Sequence, residues 1–107
     1  MSNEVRALAP NNVWNHFADL NAVQRPSKKE ERVIQFMVDF GQKLNLPTEV
    51  DHIGNVFIRK PASVGMEDKT PVVLQAHLDM VHQKNNDTIF DFDTEGIKML
   101  EIGRAHV

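Results

Sequence analysis

Apolar positions Val13, Trp14, Phe17 and Leu20 recur at helical spacing after Pro10-Asn11-Asn12, so they fall on one face of a helix. The spacing predicts a short helix over 12–23, broken by Arg25-Pro26, because the residue before a proline is pushed out of the helical region. Ser27-Lys28-Lys29-Glu30 has the form of a capping box, with Ser at the cap and Glu at the third helical position. A second helix is expected to follow. Its stripe is Val33, Ile34, Met37, Phe40, Gly41 and Leu44, and it should end near Asn45-Leu46-Pro47.

The period then changes. Glu49-Val50-Asp51 and Val56-Phe57-Ile58-Arg59 are strand-like, and His52-Ile53-Gly54-Asn55 between them carries turn residues, which predicts a hairpin. Lys60 to Pro71 is a polar loop. Val72 to Ala76 is apolar except for Gln75, the pattern of a strand buried on both faces in the centre of an α/β sheet. The chain turns polar again through Gln83 to Asp87, and Ile97-Lys98-Met99-Leu100 is expected to begin another strand. Two helices followed by three strands predict an α/β fold. Repeats and low-complexity stretches are absent from the sequence.

The strongest chemistry lies at the end of the buried run, in Leu74-Gln75-Ala76-His77-Leu78-Asp79-Met80-Val81. On a strand, His77 and Asp79 point to one face. A carboxylate that accepts the N–H of one ring nitrogen fixes the tautomer and leaves the other nitrogen for a metal. A histidine beside an apolar run is more often a hydrogen-bonded core residue. Here the pair sits at the carboxyl end of the expected strand, where α/β sheets bind ligands. A polar segment follows at once, and both residues are costly to bury without partners.

Composition narrows the classes. The 107 residues are 41% hydrophobic and 25% charged, with net charge -3 and a pI near 5.9. That is ordinary for a soluble globular domain, and it argues against nucleic acid or an anionic membrane as a partner. The sequence contains no cysteine, which removes disulfides and thiolate metal ligands and fits a cytoplasmic protein. Residues 1–10 lack the pattern of a signal peptide, and no apolar run approaches the ~20 residues of a membrane span.

Other candidates are weaker. His82 reads as an exposed loop residue rather than a second ligand, His16 as a surface position and His52 as part of the hairpin turn. Arg25 reads as solvated, and Lys28, Lys29 and Arg32 as a solvated helix face interrupted by Glu30 and Glu31. The acidic stretch Asp87 to Glu95 lacks the spacing of a calcium loop and reads as a solvated turn. A metal hydrolase needs about three ligands, an open water position and a general base. The residues alone supply one ligand and its orienting carboxylate.

The segment from Leu74 to Val81, followed by Gln83-Lys84-Asn85-Asn86-Asp87-Thr88, closely resembles the aminoacyl-histidine dipeptidases, or cytosol non-specific dipeptidases. These are co-catalytic zinc peptidases. Arg25-Pro26-Ser27 with Glu30, Asp51-His52-Ile53-Gly54-Asn55-Val56, and Arg59-Lys60-Pro61-Ala62 with Gly65-Met66-Glu67 match in the same order. The resemblance covers roughly residues 13–97. The wider family often has Gly before the metal histidine and Pro shortly after the aspartate, where this chain has Ala76 and His82; Gln24 is a further departure.

The resemblance implies a three-layer α/β/α sandwich, present here in part. It implies that His77 ligates one zinc of a two-zinc site and that Asp79 is the catalytic-site carboxylate bonded to the other nitrogen of His77. It also implies a dipeptide substrate such as Xaa-His and a homodimeric full-length parent. The family's bridging aspartate, general-base glutamate and remaining ligands come later than Val107. The expectation is therefore an N-terminal part of the catalytic domain over 1–100, inactive by itself. Residues 101–107 are expected to be a non-native tail, because Glu101 to Val107 reads like a translated sequencing-library adapter. That reading removes His106 from the ligands. An N-acyl amino acid deacylase or tripeptidase of the same family shares the motif. A short non-catalytic protein that pairs with the full-length enzyme is the alternative of a different class.

Overall fold

The computed structural model describes residues 3–102. Helix α1 spans Asn3–Arg6, α2 spans Asn11–Asn21 and α3 spans Glu31–Lys43. Strands β1, Thr48–Val50, and β2, Val56–Ile58, pair antiparallel, with Glu49 opposite Phe57. Helix and hairpin together form an α/β arrangement. The expected tail is outside the described residues from position 103 onward.

Helix α3 covers the hairpin. Val33 on its inner stripe is fully buried, and Gly41 lets β1 approach closely. A Cβ built at Gly41 would overlap Thr48 Oγ1 and lie 3.2 Å from Ile58 Cγ1. The helix ends where the sequence expects. Asn45 takes a left-handed φ of 58° and Leu46 N donates to Gly41 O at 3.0 Å; asparagine tolerates that conformation better than most residues.

The hairpin turn is held by one side chain. Asp51 Oδ1 accepts from Asn55 N at 2.8 Å and from Ile53 N at 3.1 Å, while Oδ2 accepts from Asn55 Nδ2 at 2.9 Å. Gly54 supplies the positive φ, 96°, which costs glycine little.

The second packing centre joins distant parts of the chain. Val5, Ala18 and Met99 are buried together, with Leu8 and Trp14 against them. Ile97 N donates to Asn21 O at 2.7 Å, and Asn21 Nδ2 lies 3.1 Å from Met99 Sδ. The segment 97–100 therefore docks on α2 as irregular chain rather than as the expected strand.

Two local expectations give way. Ser27 does not cap α3. The helix begins four positions later, and its N-cap Glu30 makes no side-chain cap bond. A turn replaces the expected first helical turn: Lys29 N donates to Pro26 O at 2.9 Å and Lys28 adopts φ 75°, the pattern of a type II turn. The run 72–76 forms no ladder among the described residues, because no strand lies beside it. Val72, Val73 and Leu74 are 80%, 90% and 92% exposed. The radius of gyration, 16.8 Å, exceeds the about 13 Å of a compact domain this long, as an unpaired apolar arm requires.

Candidate metal-ligand site

The site is built where the turn before α3 meets the end of the apolar run. Pro26 and Met80 form an isolated parallel bridge. Met80 N donates to Arg25 O at 2.8 Å, and Ser27 N donates to Met80 O at 3.1 Å. These bonds clamp residues 78–80 against 25–27, even though the preceding run is unpaired.

His77 and Asp79 meet as their spacing predicts. Asp79 Oδ1 lies 3.2 Å from His77 Nδ1. The other carboxylate oxygen, Oδ2, accepts from Ser27 Oγ at 2.6 Å. That contact was hidden in the sequence, where Ser27 looks like a helix cap. The Ser27 bond, and after it the His77 contact, hold the Asp79 carboxyl below the usual aspartate range against the opposing effect of burial. The His77 side chain is 76% exposed, and its Nε2 has no hydrogen-bond partner among the described residues.

Arg25 corrects a further expectation. It is not solvated: only 8% of its surface is exposed. Nη1 donates to Leu78 O at 2.9 Å, and Nη2 donates to Asn21 Oδ1. Burial lowers the guanidinium pKa, and attraction to Asp79 opposes that shift. Its Nε is buried without a hydrogen-bond partner in the described structure. The Arg25 fork ties α2 to the backbone between His77 and Asp79.

The remaining candidates stay apart. His52 and His16 are exposed, and His16 packs edge-on to Phe40 at 5.5 Å. His82 is exposed beside a cleft of about 300 Å³ that includes Ser27 and Phe92. Its ring meets Phe92 edge-on at 6.3 Å, which is packing rather than ligation. Lys29 Nζ is 3.1 Å from both carboxylate oxygens of Asp93, and Arg32 donates to Asp93 O and Gln24 Oε1. The acidic turn is thus pinned to the start of α3.

His77 with Asp79 suits one metal-ligand position: one ring nitrogen is held and the other is open. Among the described residues, no three His, Asp or Glu side chains converge as a metal site. The described chain offers a ligand arm, not a complete site. Among the described residues, no helix is long and apolar enough to cross a membrane.

No family model matches the chain. The cytosol non-specific dipeptidase of Escherichia coli (strain K12) is 45% identical over 95 residues, which cover 89% of this chain and 20% of that protein. The crystal structure of aminoacylhistidine dipeptidase from Vibrio alginolyticus superposes with a TM-score of 0.84 at 42% identity, covering 92% of this chain and 21% of that one. The helices and small antiparallel sheet match that α/β peptidase fold. The chain spans about a fifth of the length of either relative.

Proposed function

We propose that this chain is part of a zinc-dependent dipeptidase of the aminoacyl-histidine dipeptidase family and carries that enzyme's first metal ligand. The carrying observation is the likeness in both sequence and backbone over about nine-tenths of the chain. A stretch that long takes in the segment where His77 meets Asp79.

In this reading His77 Nε2 binds one metal and Asp79 orients the ring by holding Nδ1. A paired zinc site supplies polarisation of the peptide carbonyl and a water acidic enough to attack it near neutral pH. The other ligands and the general base belong to the rest of the parent enzyme, whose substrates are dipeptides such as Xaa-His and whose place is the cytosol. By itself the chain is expected to be catalytically silent, because its described residues hold one ligand where a working site needs about three and a base.

Two assays test this. The 107-residue chain with added zinc should release no amino acid from Xaa-His above blank. In the complete parent, Asp79→Ala should reduce metal affinity or turnover by about 10- to 100-fold, the usual effect of losing a carboxylate behind a ligating histidine. Turnover by the chain alone, or an unaffected Asp79→Ala parent, sinks the reading.

A further inference from the structure

We propose that Ser27 is a positioning residue for His77, acting through Asp79, so that a residue of the turn before α3 selects the imidazole tautomer. The inference deepens the metal-ligand reading and rests on it for its purpose, but its geometry stands independently.

The His77 side chain is 76% exposed, so packing does not fix the ring. Its hydrogen bond must do so, since the partner of one ring nitrogen decides which nitrogen carries the proton. That partner, Asp79 Oδ1 at 3.2 Å, is useful only while the carboxylate keeps its orientation. A terminal carboxylate torsion is broad and roughly two-fold. Ser27 Oγ on Oδ2 at 2.6 Å narrows it, because each of the two oxygens then has its own partner.

Ser27 also has Met80 O at 3.3 Å as an acceptor. One hydroxyl proton serves one of them well, and the short bond to a charged oxygen is the stronger. The serine is itself anchored, since its N–H donates to Met80 O at 3.1 Å and Met80 N–H returns to Arg25 O at 2.8 Å. The order of support runs from the 25–27 turn to Asp79, and from Asp79 to His77. It leaves Nδ1 protonated and the lone pair of Nε2 directed outward.

Long-range proton–nitrogen NMR on the isotope-labelled full chain reads the tautomer directly, from the separate shifts of the two ring nitrogens once they no longer change with pH. The unmodified chain should hold His77 mainly as the Nδ1–H form. Ser27→Ala should lower the ratio of Nδ1–H to Nε2–H by about twofold or more, the low end of what one hydrogen bond contributes net, and Ser27→Thr should restore it. A purely structural role for Ser27 would not move this ratio while the hairpin resonances of Val50 and Val56 stay in place.

If Ser27→Ala loses those resonances, Ser27→Cys takes its place. It keeps the size of the side chain with a much weaker donor, and the same fall in the ratio is expected. The proposal is overturned if the unmodified chain is mainly Nε2–H, or if a folded Ser27→Ala or Ser27→Cys chain keeps the original ratio. The metal reading is tested separately in the complete parent enzyme, where zinc content unaffected by His77→Ala would count against it and leave the tautomer result standing.

Discussion

Gly96 is stacked directly on the backbone of Ala22. A Cβ built on the glycine would lie 2.7 Å from Ala22 O and 2.8 Å from Ala22 Cα. Both are main-chain atoms, so neither can swing aside. The close approach is what lets Ile97 N reach Asn21 O at 2.7 Å and brings Met99 into the core at 8% exposure. Gly96→Ala should therefore undock residues 96–100 and cost about 1–3 kcal/mol, as overpacking commonly does. Urea unfolding should show a lower midpoint, and the Ile97 amide should exchange faster. An unchanged midpoint would show that the backbone yields there.

Arg25 serves two elements with one planar fork. Arg25→Ala leaves Leu78 O and Asn21 Oδ1 without their donor, and stranding the buried Asn21 oxygen costs about 1–3 kcal/mol. The Met80 amide, which donates to Arg25 O, should exchange at least about fivefold faster. Arg25→Lys should recover only part of the loss, since one ammonium does not reproduce the fork. Equal exchange rates in the arginine and lysine chains would contradict the bidentate role.

The hairpin turn carries its own pH response. The side-chain amide of Asn55, then its backbone N–H, hold the Asp51 carboxyl below its ordinary value. A depressed folded pKa stabilises the turn fully above the unfolded value of about 3.9, and the contribution disappears as pH falls through the lower folded one. The Asn55 amide resonances should therefore hold steady from neutral pH down to about 4 and shift below it. In Asp51→Asn the shift should vanish. Titration of those resonances at or above the ordinary aspartate range would be the wrong sign.

Lys28 pays for the turn that frees Ser27. Its φ of 75° costs a non-glycine residue roughly 1–2 kcal/mol, whereas glycine adopts it freely and loses about 0.5–1 kcal/mol through the unfolded chain instead. Lys28→Gly should leave the fold intact and be neutral to stabilising by about 1 kcal/mol. A clear loss in the urea midpoint would mean the lysine side chain contributes something its exposed position does not suggest.

What could be read from the sequence depended on the range of the interaction. Helix α2 was expected over 12–23 and occupies Asn11–Asn21. The hairpin at Thr48–Val50 and Val56–Ile58 lies where the turn residues put it. The contact between His77 and Asp79 follows from a spacing of two. Ser27 reads as a cap because a capping box is a local pattern, whereas a carboxylate 52 positions away competes for the same hydroxyl. Arg25 reads as solvated for the same reason: its acceptor Leu78 O is 53 positions distant. The run 72–76 has the composition of a central strand, but a strand exists only through its neighbours, and the described chain sets none beside it.

The bridge between Pro26 and Met80 also separates geometry from length. Ser27 and Met80 are 53 positions apart, yet the bridge fixes them side by side. The excursion between them includes the exposed stretch 60–71. Closing such a loop becomes only about 0.6 kcal/mol more costly for each doubling of its length. At Gly65 a Cβ would meet no atom within 4 Å. Residues added near that point lengthen a tether whose two ends are already tied, so a probe or affinity handle can be spliced there while His77 keeps its place.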